Sequence, residues 1–92
     1  MSSPDVPPEL IGQIVVLDTA APFIYLGTLL AADHRYLVLA DADVHDLRES
    51  RTSREQYILE SHEHGVRVNR AKVYVSRDEV VSFSALGDVT LG

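Results

Sequence analysis

FIYLGTLLAADHRYLVLADAD, residues 23–43, is the stretch on which the reading of this chain turns. Phe23 to Ala32 is aromatic, β-branched and aliphatic, the composition of a strand, and is interrupted once, by Gly27. A glycine inside a strand marks a bulge or a sharp bend where a sheet curls on itself. Asp33-His34-Arg35 supplies a turn, and Tyr36 to about Val44 reads as the next strand. The stretch therefore predicts an antiparallel pair whose first member is bent in the middle. Upstream, Gln13 to Asp18 reads as another strand, ended by Thr19-Ala20-Ala21-Pro22 where proline stops the ladder. In these strands Ile14/Val16 and Val15/Leu17 are apolar on both sides, as are Phe23/Tyr25/Leu29 and Ile24/Leu26/Leu30. A sheet with one wet face alternates apolar and polar residues. Both faces here must be covered, by a helix or by a neighbouring subunit.

Beyond residue 46 the pattern changes. Thr52-x-x-Glu55 is a capping box, with Ser53-x-x-Gln56 as the alternative register, and residues 52–65 read as a helix. Tyr57, Ile58 and Leu59 give it a short apolar stripe, His62 and His64 fall where the helix dipole favours cations, and Gly65 is a natural stop. A strand over Tyr57–Glu60 is the competing reading. Two short strands follow, Lys72 to Val75 and Glu79 to Ala85, joined by a tight turn at Ser76-Arg77-Asp78. Residues 1–8, with three prolines, read as a loose tail, Pro8 to Ile11 as one helical turn, and 87–92 as a C-terminal tail.

Ninety-two residues make one domain. Hydrophobic residues at 46% and charged residues at 24% are an ordinary globular balance, which excludes disordered and fibrous classes. No cysteine is present, so disulfide scaffolds, thiolate metal sites and cysteine nucleophiles are excluded. The longest apolar runs fall far short of the ~20 residues that a membrane span needs. Met1-Ser2-Ser3-Pro4-Asp5 lacks the basic and apolar regions of a secretory signal, so the expectation is a soluble, cytoplasmic domain. The net charge of −6 disfavours a generic polyanion binder, but the charge is uneven. Residues 1–46 hold seven acids and one base, whereas residues 47–77 hold seven bases against four glutamates. Seven of the eight bases are arginine, which suits bidentate anion recognition and stacking.

The order of elements resembles the Sm/LSm barrel: a short helix, three meander strands with a glycine bend in the second, an insertion, then a hairpin. Gly27, Leu29, Asp33 and Tyr36 stand at the spacing of that family's first motif, and Val75-Ser76-Arg77-Asp78-Glu79-Val80 with Phe83 is similar to its second. The match covers roughly residues 9–85. It implies an all-β fold: a five-stranded, strongly bent Sm-like (SH3-type) barrel over residues 9–86, with a short N-terminal helix and a helix inserted between the third and fourth strands, in segment 47–66.

The resemblance further implies a homo-oligomeric ring in which the fourth strand of one subunit pairs with the fifth of the next. That arrangement places Val73, Val75, Val81 and Phe83 at the interface. It also implies single-stranded RNA as a partner, at a pocket of Asp33, His34, Arg35 and Arg77. The pocket is altered, since Leu37 stands where the family has a base-reading asparagine, Ser76 where it has an arginine, and Arg77 where it has a glycine. The leading expectation is accordingly a non-catalytic assembly module acting through protein contacts, with RNA binding at the modified pocket as the alternative. No DNA or membrane partner and no cofactor is expected.

Other chemistry finds little support in the residues. Asp41, Asp43 and His45 share one face of a continuous strand, but alternate residues ~7 Å apart are too spread for three ligands on one metal. His62 and His64 read as helix-end residues, not as a metal pair. No Gly-x-Ser-x-Gly step and no glycine-rich phosphate loop occurs, and the chain is not read as an enzyme.

Overall fold

The computed structural model describes residues 6–49 and 51–90. It contains five strands, β1 (Ile14–Thr19), β2 (Phe23–Ala32), β3 (Tyr36–Asp46), β4 (Arg70–Ser76) and β5 (Val80–Ala85), and one α-helix, α1 (Arg54–His64), between β3 and β4. Single 3-10 turns precede β1 (Pro8–Leu10), follow β3 (Leu47–Glu49), join β4 to β5 (Arg77–Glu79) and follow β5 (Leu86–Asp88). All pairings are antiparallel in the order β4-β3-β2-β1-β5. The first and last strands in sequence are thus brought side by side, and β4 and β5 remain as the two edges. This is a five-stranded, strongly bent antiparallel barrel with the element order that the Sm/LSm resemblance implied.

Gly27 makes the bend. Leu26 pairs with Asp43 and Thr28 with Ala40, so Gly27 stands opposite both Asp41 and Ala42, which is a β-bulge in β3. A Cβ at Gly27 would lie 3.0 Å from the Ala40 carbonyl oxygen and 3.0 Å from the Ala42 Cβ. Asp41 takes the left-handed conformation at φ 48°, which aspartate tolerates better than most residues. The extra residue increases the local twist and turns the second half of β3 over relative to the first.

The two apolar faces become two cores. Val15, Leu17, Leu29, Leu37, Leu39, Ala42 and Val75 fill the barrel interior. Val16, Ile24 and Leu26 point the other way and are covered by Tyr57 and Ile58 of α1 and by Leu86. Of the two covers left open by the sequence, the chain's own helix takes this face. Arg54 ties α1 to β1 through an ion pair with Asp18.

Several boundaries differ from the sequence reading. The helix starts two residues later than expected, because Ser53 and not Thr52 is the N-cap: its hydroxyl accepts from the Gln56 amide at 3.1 Å. The strand alternative over Tyr57–Glu60 is thereby set aside. Gly65, at φ 88°, ends the helix with its amide bonded to the Ser61 carbonyl. β3 runs two residues past Val44, and β4 begins at Arg70. Val6 packs against the first core and Val89 against the second, so parts of both expected tails lie on the barrel.

Gly27→Ala forces a Cβ against backbone atoms. We expect a loss of about 1–3 kcal/mol, read as a shift in the urea unfolding midpoint at unchanged slope.

Candidate nucleic-acid interface

The turn between β2 and β3 is organised by one carboxylate. Asp33 Oδ1 accepts from the backbone amides of Arg35 and Tyr36, both at 2.7 Å, and the Asp33 amide donates to the Tyr36 carbonyl at 3.0 Å. This is an Asx-type turn, in which a short side chain does the work of backbone. These bonds, that of the Tyr36 amide foremost and then that of Arg35, hold the Asp33 carboxyl below its ordinary value of 3.8.

The β4–β5 turn meets it. The Arg77 amide donates to the Arg35 carbonyl at 2.9 Å, and an Arg77 guanidinium nitrogen donates to the Asp33 carbonyl at 2.8 Å. Groups 44 positions apart in sequence are thereby locked together at one end of the barrel. His34 and Arg35 are exposed on the same turn. The four residues expected to form a pocket, Asp33, His34, Arg35 and Arg77, therefore lie on two hydrogen-bonded loops. Asp33 and Arg77 hold the loops, while Arg35 and His34 present side chains to solvent.

Two expected positions land elsewhere. Leu37, aligned with the base-reading asparagine, is 2% exposed in the barrel core. The alternation of β3 explains it: Leu37 and Leu39 point inward, so Tyr36 and Val38 share the outward face. The residue that opens beside the loops is Tyr36, 42% exposed and paired with Ser76 in register. Val75, expected at a subunit interface, is likewise a core residue, so β4 offers only backbone there. Val73 and Phe83 are half-buried against the same core, and Val81 is fully open at 72%.

The sequence reading did not anticipate Tyr74 or Asn69. Tyr74 on β4 meets the Tyr36 ring edge-to-face at 6.2 Å. The outward register positions of two adjacent strands were the signal available for it. Asn69 continues the β3–β4 ladder with its side chain, accepting from the Val44 amide and donating to the Val44 carbonyl.

The Asp41, Asp43, His45 face does not exist. The bulge leaves Asp41 exposed and turns Asp43 inward, where it accepts from the Tyr57 hydroxyl and from Asn69 Nδ2. Burial, and then this bond to Asp43, pushes the Tyr57 hydroxyl well above its ordinary value. His45 stacks on the Tyr57 ring at 3.9 Å, and its buried Nε2 has no hydrogen-bond partner among the described residues. These groups line a cleft of about 710 Å³ between α1 and the sheet. No cluster of three or more His, Asp or Glu side chains able to hold a metal is found among the described residues. No helix among them is long and apolar enough to cross a membrane.

Compared with known proteins, the fold has a clear counterpart. It is similar to the structure of an Sm protein from Pyrococcus abyssii solved in complex with a uridine heptamer. The TM-score is 0.58 at 20% identity, over 84% of this chain and 87% of that one. No protein-family model matches the chain, and no curated protein sequence matches it.

The depressed Asp33 carboxyl fixes a sign for pH. A group whose folded value is lowered stabilises above its unfolded value and loses that contribution as pH falls through the folded one. The β2–β3 turn is therefore expected to be intact above about pH 4 and to loosen as pH falls through the folded value. NMR titration should show the Asp33 carboxyl and the Arg35 and Tyr36 amides sharing one midpoint below 3.8. Amides that move at an ordinary carboxyl value would contradict the turn.

Proposed function

We propose that this chain is a non-catalytic Sm-like module that assembles through its two open sheet edges into a homo-oligomeric ring. Within that ring, the joined β2–β3 and β4–β5 turns face single-stranded RNA. The observation that carries the RNA site is the pair of bonds from Arg77 to the Asp33–Arg35 turn. They pre-organise a small exposed patch bearing a guanidinium and an imidazole, which suit phosphate contact and base stacking. The uridine heptamer bound by the structurally similar Sm protein supports the same ligand class. The assembly rests on the sheet order, which leaves the outer edges of β4 and β5 unpaired among the described residues, a state that proteins usually cover.

A second reading, assembly through protein contacts alone, is favoured by the fate of the usual RNA contacts. Leu37 is buried, Ser76 has no charge, and the Arg77 guanidinium is engaged by the neighbouring turn.

Anisotropy titration of labelled oligo-U and oligo-A separates the two, on protein whose mass is fixed by light scattering. The RNA reading expects saturable binding, weakened about tenfold by Arg35→Ala and by Arg77→Ala, with a salt slope of only a few phosphates. A defined oligomer that binds neither RNA would establish the second reading. Val81→Lys, on the open β5 edge, should lower the particle mass in the same instrument. An unchanged mass would show that β5 is not an interface.

A further inference from the structure

We infer that Tyr36 and Tyr74, with Lys72, form a base-stacking platform for single-stranded RNA on the outer face of β3 and β4, continuous with the joined turns. The inference rests on the RNA reading above and adds a site to it. By the alternation of paired strands, Tyr36 and Val38 of β3 and Lys72 and Tyr74 of β4 stand on one face, with Leu37, Leu39, Val73 and Val75 on the other. Tyr36 is 42% and Tyr74 60% exposed. They are the two aromatic rings among the exposed large hydrophobic side chains of the described residues, and they stand in contact with each other.

Their geometry suits a base. The rings are 6.2 Å apart and at 86°, so one ring braces the other and neither is free to lie flat on the sheet. A nucleobase stacks on such an aromatic face whatever its identity, since every base has a π surface. Lys72 Nζ lies over the Tyr74 ring, 5.4 Å from its centre, so a cation already sits on one face of the stacking surface, ready to swing to the adjoining phosphate when a base takes its place. The charge is complementary: β4 carries Arg70 and Lys72 and no acid, although the chain as a whole is at −6. The path is continuous as well. Tyr36 pairs with Ser76, and the next residue, Arg77, bonds to the Arg35 carbonyl. A strand leaving the Arg35 turn would meet Tyr36 and then Tyr74. Because Leu37 is buried and offers no edge reader, the platform selects for single strands and not for a particular base.

The test uses the full chain, 5′-labelled oligo-U, and an abasic ribose-phosphate-type oligomer of equal length. Tyr74→Ala should weaken oligo-U about tenfold, within the range of one lost stacking contact, while Tyr74→Phe retains binding. The abasic oligomer should bind weakly and equally to the wild type and to Tyr74→Ala. Lys72→Ala should lower the salt slope by about one phosphate. Undiminished oligo-U binding by Tyr74→Ala, with Arg77→Ala impaired, overturns the platform and leaves the RNA reading standing. Absence of RNA binding by the wild type overturns both. A changed particle mass for both Tyr74→Ala and Tyr74→Phe would make the patch a contact between copies of the chain and overturn the inference.

Discussion

The close approach of β2 to β3 at Gly27 is the constraint on which the rest depends. With no side chain there, the β2 backbone lies against the Ala40 carbonyl and the Ala42 methyl, and β3 accommodates it by spending an extra residue at Asp41. The sheet bends at that point, and bending lets a strand near the start of the chain pair with the last one. Val15 to Thr19 of β1 then finds Ala85 to Val80 of β5. The same curvature carries the β2–β3 turn and the β4–β5 turn to one end, close enough for Arg77 to reach the Asp33 and Arg35 carbonyls. The loop cluster is thus a consequence of the sheet's bend.

A bent sheet of this size cannot be satisfied by one core. Residues that alternate along β1 and β2 are apolar on both sides, and burying each such side chain contributes about 1.5–3 kcal/mol. The inward set packs on itself, while the outward set, Val16, Ile24 and Leu26, needs a lid. α1 serves, although its stripe is short, because Tyr57 and Ile58 are joined by Leu86 from beyond β5. The Tyr57 hydroxyl answers the buried carboxylate that the bulge turns inward at Asp43. Bulge, helix and Asn69 therefore form one structural unit, in which a buried acid is met by two neutral donors.

Much of this was legible in the residues, for identifiable reasons. β2 ran from Phe23 to Ala32 as read, because composition and flanking turn residues agree there, and Gly27 announced its bend. The residues also placed Asp33 and Arg35 in one turn and Arg77 in another, while the bonds that join the two turns needed the fold. The misreading of residues 41–45 has a single cause. A bulge inserts a residue and inverts the alternation after it, so Asp41, Asp43 and His45 seemed to share a face that the fold divides. Leu37 could have been recognised as core from its i, i+2 partner Leu39, since both are aliphatic in a strand. Tyr36 and Tyr74 lie 38 positions apart, and only the β3–β4 register joins them. Asn69 carries no local signal at all, because its role is to extend a ladder whose end the sequence does not mark.

The account as a whole requires that the two sheet edges be covered in the working particle. Hydrogen–deuterium exchange of the β4 and β5 amides, followed by mass spectrometry at a high and a low protein concentration, tests this directly. Coverage predicts that, within Arg70–Ser76 and Val80–Ala85, the amides facing away from β3 and β1 are slow together at high concentration and become fast together on dilution. Amides that face away from β3 and β1 and exchange as quickly as those of the Asp33 turn at every concentration would show that the edges stand open, and would contradict the assembly at the centre of the account.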